Sequence, residues 1–166
     1  MRAIHIPQLL NTPNKTISLD VDERLAGLET LTPVKGEMSV THQGTYLEVK
    51  GKAGAIMTLE CDRCLQSYNT RVQVDTSELV WLEEPPEEDA VEKEVDLEDL
   101  VESVSPNGRF KPDEWLYEQM CLAIPQKQVC RPGCEGIEFK NPEPSADEPL
   151  DRRWAALSSL KQQLAE

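Results

Sequence analysis

The chain carries two closely spaced pairs of cysteines that could hold a metal ion. Cys61 and Cys64 form a C-x2-C motif, and Cys130 and Cys134 form a C-x3-C motif later in the sequence. Each spacing lets one tight turn direct two thiolates toward the same ion, and two such turns complete a tetrahedral site. Zinc is the ion that this donor set favours. Three interpretations stay open here: a structural zinc site, reduced thiols without metal, and disulfides or a redox pair.

The surrounding residues fit a site of structural type. Pro132 and Gly133 supply turn chemistry inside the second pair, where the chain must reverse direction quickly. Residues 65–129 separate the two pairs, so a shared ion would join distant parts of the chain and close a long loop. The remaining cysteine, Cys121, has apolar neighbours and is expected to be a small buried hydrophobe outside the site.

Composition and charge limit the possible functions. With 166 residues, of which 39% are hydrophobic, the chain can form one domain of ordinary size with tails. Its formal net charge is -14, and segment 78–102 alone contains twelve acidic residues and one lysine. Because affinity for phosphates requires clustered Lys and Arg, any contact with RNA is expected to be local or indirect.

The sequence also predicts a cellular location. No apolar run approaches the roughly 20 residues needed to cross a bilayer, and residues 1–7 are too short and interrupted for a signal peptide. We therefore expect a cytoplasmic protein. Cysteines are kept reduced in that compartment, which favours a metal site over disulfides.

Strand patterns in the first half predict an antiparallel sheet of four to five strands. Residues 16–21 alternate between apolar and polar, and residues 35–41 and 46–50 flank a short turn and predict a hairpin. Turn residues at 52–54 are expected to reverse the chain again. A third strand then begins and delivers Cys61 to its end.

A fourth strand over 72–82 would place the first cysteine pair in the connection between two antiparallel strands. Residues 4–13 are short and marked by proline, so they predict only an extended arm. A helix over 113–124, capped by Asp113, leads into the second cysteine pair. The sequence therefore predicts an α+β fold with a packed helix.

The predicted organisation is one zinc-clipped α+β domain over residues 1–140, with an acidic flexible loop at 83–95. This loop is interpreted as solvated, with docking of a basic partner as the alternative. Residues 141–150, rich in proline and acids, predict a linker. An amphipathic helix over 151–166 follows the linker.

Two further groups of residues could contact a partner. Trp154 and Leu157 belong to the apolar stripe of the last helix, which either packs on the domain or binds another protein. Arg63, Lys127 and Arg131 lie within or just before the cysteine pairs, and we call them the basic collar. They either offset the charge of a metal-thiolate cluster or touch a phosphate backbone or an acidic partner surface.

Catalytic patterns are missing from the sequence. The only histidines are His5 and His42, and neither lies in a recognisable pattern for a general base or nucleophile. The chain has no glycine-rich phosphate-binding loop and no H-E-x-x-H motif. We therefore expect a protein that is not an enzyme.

Four blocks of sequence, in this order, resemble the YceD family of bacterial and plastid proteins. The blocks are Leu59-Glu60-Cys61-Asp62-Arg63-Cys64-Leu65, Leu122-Ala123-Ile124-Pro125, Cys130-Arg131-Pro132-Gly133-Cys134-Glu135-Gly136 and Arg153-Trp154-Ala155-Ala156-Leu157-Ser158-Ser159-Leu160-Lys161. An acidic stretch separates the first block from the second. The resemblance extends from about residue 35 to the end of the chain.

The resemblance implies a process more than a reaction. The family is described as needed for accumulation of 23S ribosomal RNA, and hence for processing of that RNA or assembly of the large ribosomal subunit. It implies Cys61, Cys64, Cys130 and Cys134 as the metal ligands, with one zinc per chain. The implied partner is a pre-ribosomal large-subunit particle or a ribosome-associated basic protein, and a processed plastid form would reside in the stroma. A zinc-stabilised adaptor for a basic protein and, third, a thiol redox sensor are the alternative functions.

Overall fold

The computed structural model describes residues 1–84, 103–137 and 157. The predicted linker, most of the acidic loop and the last helix apart from Leu157 lie outside the described residues; Leu157 itself is helical. None of the described helices is long and apolar enough to span a membrane. The elements in chain order are β1 (Ile4–His5), α1 (Ile6–Leu9), one 3-10 turn (Pro13–Lys15), β2 (Thr16–Glu23), β3 (Val34–His42), β4 (Tyr46–Glu60), β5 (Ser67–Leu82), β6 (Ser103–Val104), β7 (Arg109–Phe110) and α2 (Pro112–Leu122).

The fold is α+β and is built on a five-stranded sheet in the order β2-β3-β4-β5-β6. Strands β2 to β5 pair antiparallel with their neighbours, which confirms the predicted antiparallel sheet. The short β6 departs from the prediction because it runs parallel to the end of β5. A separate two-stranded ladder joins β1 to β7.

The ladder between β4 and β5 is the longest in the described sheet. It extends from the pair Tyr46 and Trp81 to the pair Glu60 and Ser67. Side chains alternate between the two faces of a strand, and the buried ones belong to the inner face. The inner face of β3, β4 and β5 contributes the buried residues Val34, Met38, Val40, Leu47, Val49, Ala53, Ala55, Met57, Leu59, Val72, Val74 and Val80.

The predicted hairpin between β3 and β4 is confirmed. Gly44 adopts a φ of 105°, a conformation that a residue without Cβ reaches at little cost. Its backbone N–H donates to His42 Nδ1 at 3.0 Å. The turn brings Val40 opposite Val49, and both side chains are fully buried.

The turn predicted at 52–54 is wrong, because β4 continues through these residues to Glu60. The nearby glycine serves packing instead of chain reversal. A Cβ on Gly51 would lie 2.7 Å from Trp115 Cζ3, so only glycine leaves room for the indole ring against the sheet. The contact with a distant helix thus decides the conformation of a segment whose composition is typical of a turn.

The extended arm predicted for residues 4–13 is also wrong. This segment forms β1 and then α1, with Pro7 in the first turn of the helix, where its missing N–H costs nothing. The Ile6 and Leu9 side chains are fully buried. Burial of these two side chains attaches the N-terminal segment to the core.

Helix α2 begins and ends slightly before its predicted bounds. Lys111 occupies the N-cap position and Pro112 lies in the first turn, so Asp113 is inside the helix and does not cap it. Proline fits the first helical position because its φ is already helical. The helix ends at Leu122, two residues before the predicted end.

One face of α2 packs on the sheet and is held there by a polar contact. Trp115, Leu116 and Met120 are buried. The Trp115 Nε1–H group donates to Glu78 Oε2 at 2.6 Å, and Gln119 Nε2 donates to the same oxygen at 3.0 Å. Two donors from the helix therefore meet one carboxylate on β5, which fixes the helix across the strand.

Candidate metal centre

The first cysteine pair lies in the turn that joins β4 to β5, as predicted. Cys61 N–H donates to Gln66 O at 3.0 Å, and Leu65 N–H donates to Cys61 O at 2.9 Å. Leu65 adopts a φ of 56°, which is uncommon for a residue with a branched side chain. These bonds close a compact knuckle in which Cys61 is fully buried and Cys64 is half-buried.

The second pair is held against the first by the backbone before it. Asp62 N–H donates to Gln128 O at 2.8 Å, and Gln128 N–H donates to Asp62 Oδ2 at 2.6 Å. Cys134 N–H donates to Arg131 O at 3.1 Å, which tightens the C-x3-C segment. The reciprocal bonds between Asp62 and Gln128 therefore bring the two turns together.

The structure brings the four predicted cysteines into one cluster. The sulfurs of Cys61, Cys64, Cys130 and Cys134 all lie within 4.8 Å of one another. The Cys61–Cys134 and Cys64–Cys130 sulfur distances are both 3.8 Å. An ion about 2.3 Å from four tetrahedral sulfurs would separate them by about 3.8 Å. The cluster therefore has the dimensions of a four-thiolate metal site.

The electrostatics of the thiols also fit a cation. The Cys130 N–H group donates to Cys61 Sγ at 3.4 Å. Backbone hydrogen bonds from Cys130 and Cys64 lower the pKa of Cys61 to about 6, whereas burial and the neighbouring thiols raise the pKa of Cys130 to about 12. The surrounding protein thus stabilises the thiolate form of Cys61 and destabilises the thiolate form of Cys130. Four thiolates in so small a volume require a positive ion among them.

Arg63 and Gly136 complete the connection between the two cysteine turns. Arg63 Nη1 donates to Cys134 O at 2.9 Å. Gly136, with a φ of 86°, passes so close that a Cβ there would lie 3.2 Å from Arg63 O. Arg63 therefore contacts the second cysteine turn both at Cys134 and at Gly136.

The basic collar shares its two segments with exposed acidic residues. Arg63, Lys127 and Arg131 are exposed at the cluster, but the exposed Asp62 and Glu135 lie in the same two segments. The rim of the cluster is therefore mixed, with three cations and two carboxylates.

The other predicted site residues lie elsewhere. Cys121 is in α2, half-buried beside the core, and does not belong to the cysteine cluster. Leu157 is 52% exposed, and Trp154 lies outside the described residues. The assignment of ligands and of contact residues stays a prediction.

The fold and the cluster define a class: an α+β protein with a long antiparallel ladder and four clustered cysteines that could hold a metal ion. Residues 49–161 match the family model described as Large ribosomal RNA subunit accumulation protein YceD. The chain therefore belongs to the YceD family, which confirms the resemblance seen in the sequence. The matched region contains both cysteine pairs.

Similar proteins occur in mycobacteria and carry no functional name. Uncharacterized proteins of Mycobacterium bovis and of two strains of Mycobacterium tuberculosis are each 32% identical to this chain over 123 residues. The similarity covers 68% of this chain and 54% of each relative, so the chain matches about half the length of these relatives. No solved structure matches the chain.

Proposed function

We propose that this protein is a non-enzymatic factor that supports 23S ribosomal RNA processing and accumulation during assembly of the large ribosomal subunit. The observation that carries the proposal is the family match over residues 49–161. The description of that family names the accumulation of an RNA and no chemical reaction. The expected partner is a pre-ribosomal large-subunit particle.

Two features of the structure support a role without catalysis. Among the described residues no Asp, Glu, His, Lys or Arg side chain is buried, so outside the cysteine cluster this part of the chain offers no enclosed group for acid-base chemistry. The cysteine cluster offers four sulfurs within 4.8 Å of one another, with two of the sulfur pairs at 3.8 Å. A metal bound by all four would keep no open position for a substrate or an activated water.

The proposed ion is a single zinc, because four thiolates in tetrahedral arrangement suit zinc and it brings no redox chemistry. Cys61 and Cys64 would supply one side of the site, and Cys130 and Cys134 the other. The ion would hold the β4–β5 turn to the segment after α2, which the Asp62–Gln128 bonds already bring into contact. Its role in this proposal is to stabilise the surface that contacts the particle.

Direct contact with RNA would be narrow in this proposal. The exposed cations of the cluster are Arg63, Lys127 and Arg131, and the Arg63 guanidinium also bonds Cys134 O. Three phosphate contacts would weaken binding about 40-fold between 50 and 200 mM salt, against a loss of about 10³ to 10⁵ for six to ten contacts. We therefore expect weak binding to naked 23S fragments and stronger binding to immature particles.

Deletion of the gene in its host tests the cellular role. The measured quantities are the ratio of 23S to 16S RNA and the 5′ and 3′ ends of the 23S precursors. We expect a lower ratio and more precursor in the deletion strain, with recovery on return of the wild-type gene. Unchanged amounts and ends of 23S RNA in the deletion strain would refute the proposal.

Sedimentation with purified immature large-subunit particles tests the local contact. The variant Lys127→Glu, Arg131→Glu reverses two charges at the cluster, and Arg2→Glu, Arg71→Glu makes the same change at exposed positions elsewhere. We expect the first variant to lose binding and the matched control to keep it. Equal binding by both variants would remove the basic collar from the contact surface, and steep salt dependence on naked RNA would contradict the narrow contact.

A further inference from the structure

An aromatic pair lies at the end of the sheet opposite the cysteine cluster. The rings of Tyr46 and Trp81 face each other across β4 and β5 with centroids 5.6 Å apart and an interplanar angle of 60°. This edge-to-face arrangement is favourable for aromatic rings. Leu79 lies beside Trp81 on β5, opposite Glu48, and is 48% exposed. We call Tyr46, Leu79 and Trp81 the aromatic patch.

The aromatic patch does not serve the core. Leu47 and Val80 are fully buried, so by the alternation of a strand Tyr46, Leu79 and Trp81 point to the outer face. Among the described residues, the hydrophobic core and the side chains packed against it do not include these three. An outer-face group of Trp, Tyr and Leu has the composition of an interaction surface.

The charges next to the aromatic patch are negative. Glu48 lies opposite Leu79. Lys50 Nζ, the nearest cation in β4, is paired with Glu48 Oε1 at 2.6 Å. Glu83 and Glu84 follow directly after β5 and are exposed. These carboxylates would repel a phosphate backbone and attract cations.

We propose that the aromatic patch binds an arginine-rich segment of another protein. A guanidinium group stacks on an indole or phenol ring and can bond a neighbouring carboxylate at the same time, which Lys does less well. The patch provides the rings, and the exposed Glu83 and Glu84, which directly follow the strand of Trp81, provide the carboxylates. The proposal concerns binding by the purified chain and does not depend on the ribosomal role.

The first test is a titration of the ¹⁵N-labelled full chain with a synthetic peptide of alternating Arg and Gly, followed by NMR. The indole N–H signals of Trp81 and Trp115 act as internal probes. Trp115 is only 2% exposed and donates to Glu78, so its signal should stay fixed. We expect the Trp81 signal to move and saturate. A peptide with citrulline in place of arginine has the same shape without the charge, and it should bind at least about tenfold more weakly.

Variants separate the patch from general charge attraction. Leu79→Lys introduces a cation into the patch, and Leu122→Lys makes the same change at a position 78% exposed at the end of α2. We expect Leu79→Lys to weaken peptide binding about tenfold or more and Leu122→Lys to change it less than about twofold. Spectra of both variants report whether each is folded.

Several results would overturn the proposal. These are a fixed Trp81 signal at saturating peptide, equal affinity for the citrulline peptide, and equal losses in the two lysine variants. A single-stranded oligouridylate that moves the Trp81 signal and binds more tightly than the arginine peptide would show that the rings stack on bases instead. The titrations of the wild type with the arginine and citrulline peptides need no variant. They therefore test the proposal even if one of the lysine variants fails to fold.

Discussion

Replacing Cys130 by serine should release the segment after α2 from the β4–β5 turn. Cys130 Sγ lies 3.8 Å from Cys64 Sγ, and the Cys130 amide donates to Cys61 Sγ. Metals bind the thiolate, and a serine hydroxyl stays protonated and is a poor ligand. The substitution therefore removes one of four ligands with almost no change in volume.

The expected loss of stability follows from the length of chain that the metal closes. Residues 65–129 lie between the two pairs. A cross-link over such a loop removes about 4 kcal/mol of conformational entropy from the unfolded chain at 25 °C. In a domain of this size each kcal/mol lowers Tm by roughly 4 °C, so we expect a fall of roughly 15 °C.

Two measurements check this expectation: bound metal by mass spectrometry and Tm by circular dichroism. The wild type should carry one zinc per chain, and Cys130→Ser should carry little. Cys121→Ser is the matched control, because that thiol lies outside the cluster. It should keep its metal and most of its Tm. A chelator should lower the wild-type Tm toward that of Cys130→Ser and leave the variant unchanged.

Two outcomes would refute the reasoning. Full metal retention by Cys130→Ser, or loss of metal from Cys121→Ser, would show that the ligands are assigned wrongly. A wild-type Tm that stays constant after complete removal of the metal would show that the ion closes no loop that matters for folding. Low metal content in a single preparation refutes neither the ligand assignment nor the loop-closing role. Zinc is therefore added back before each comparison.

Three more predictions concern packing and protonation. Gly51→Ala should destabilise the fold by about 1–3 kcal/mol in urea unfolding, because the new Cβ would lie 2.7 Å from Trp115 Cζ3. Gly133 has open space around it, so Gly133→Ala should change stability far less. Equal losses in the two variants would contradict the packing argument. Glu78→Leu should lower the free energy of unfolding by about 1–3 kcal/mol, because it leaves the Trp115 indole N–H without an acceptor. Glu78→Gln keeps an acceptor oxygen and should lower it less. A larger loss in Glu78→Gln than in Glu78→Leu would exclude the hydrogen bond as the cause. The metal-free protein should gain stability as pH rises from 6 to about 8, because the folded state lowers the pKa of Cys61 to about 6 while unfolded thiols, with a pKa of about 8.5, still hold their protons. Cys61→Ser should abolish this gain in urea unfolding at each pH.

The parts of the fold that the sequence predicted correctly depend on local patterns. Each cysteine pair is closed by its own short turn, so spacing alone indicates that two thiolates point the same way. The hairpin around Gly44 follows from alternation on both sides of a turn. That the two pairs meet is not local information, and only the demand of a metal for four ligands pointed to it.

The errors occur where distant contacts override local composition. Residues 52–54 have the composition of a turn, yet they stay in β4 beside Gly51, on which the ring of Trp115 packs. Residues 4–13 have a weak pattern of their own and gain structure by burying Ile6 and Leu9. Neither contact is visible within a window of neighbouring residues, because the partner surface is formed by other elements.

The aromatic patch was missed for a different reason. Tyr46 belongs to a strand that was predicted, and Trp81 lies at the end of another predicted strand, but their meeting depends on the register of the β4–β5 ladder. A shift of one residue would turn Trp81 toward the core. Register is fixed by the uninterrupted pairing of both long strands, which the predicted break at 52–54 had concealed.

The same unbroken ladder also separates two surfaces of different character. Tyr46 begins β4 and Cys61 follows its last residue, so roughly 45 Å of strand lies between the aromatic patch and the cysteine cluster. A short peptide cannot reach both ends. The cluster end carries the mixed charges of Arg63, Asp62 and their neighbours, whereas the patch end carries rings and carboxylates. Binding of a basic protein at the patch would therefore leave the cluster end free, and a large particle could engage both at once.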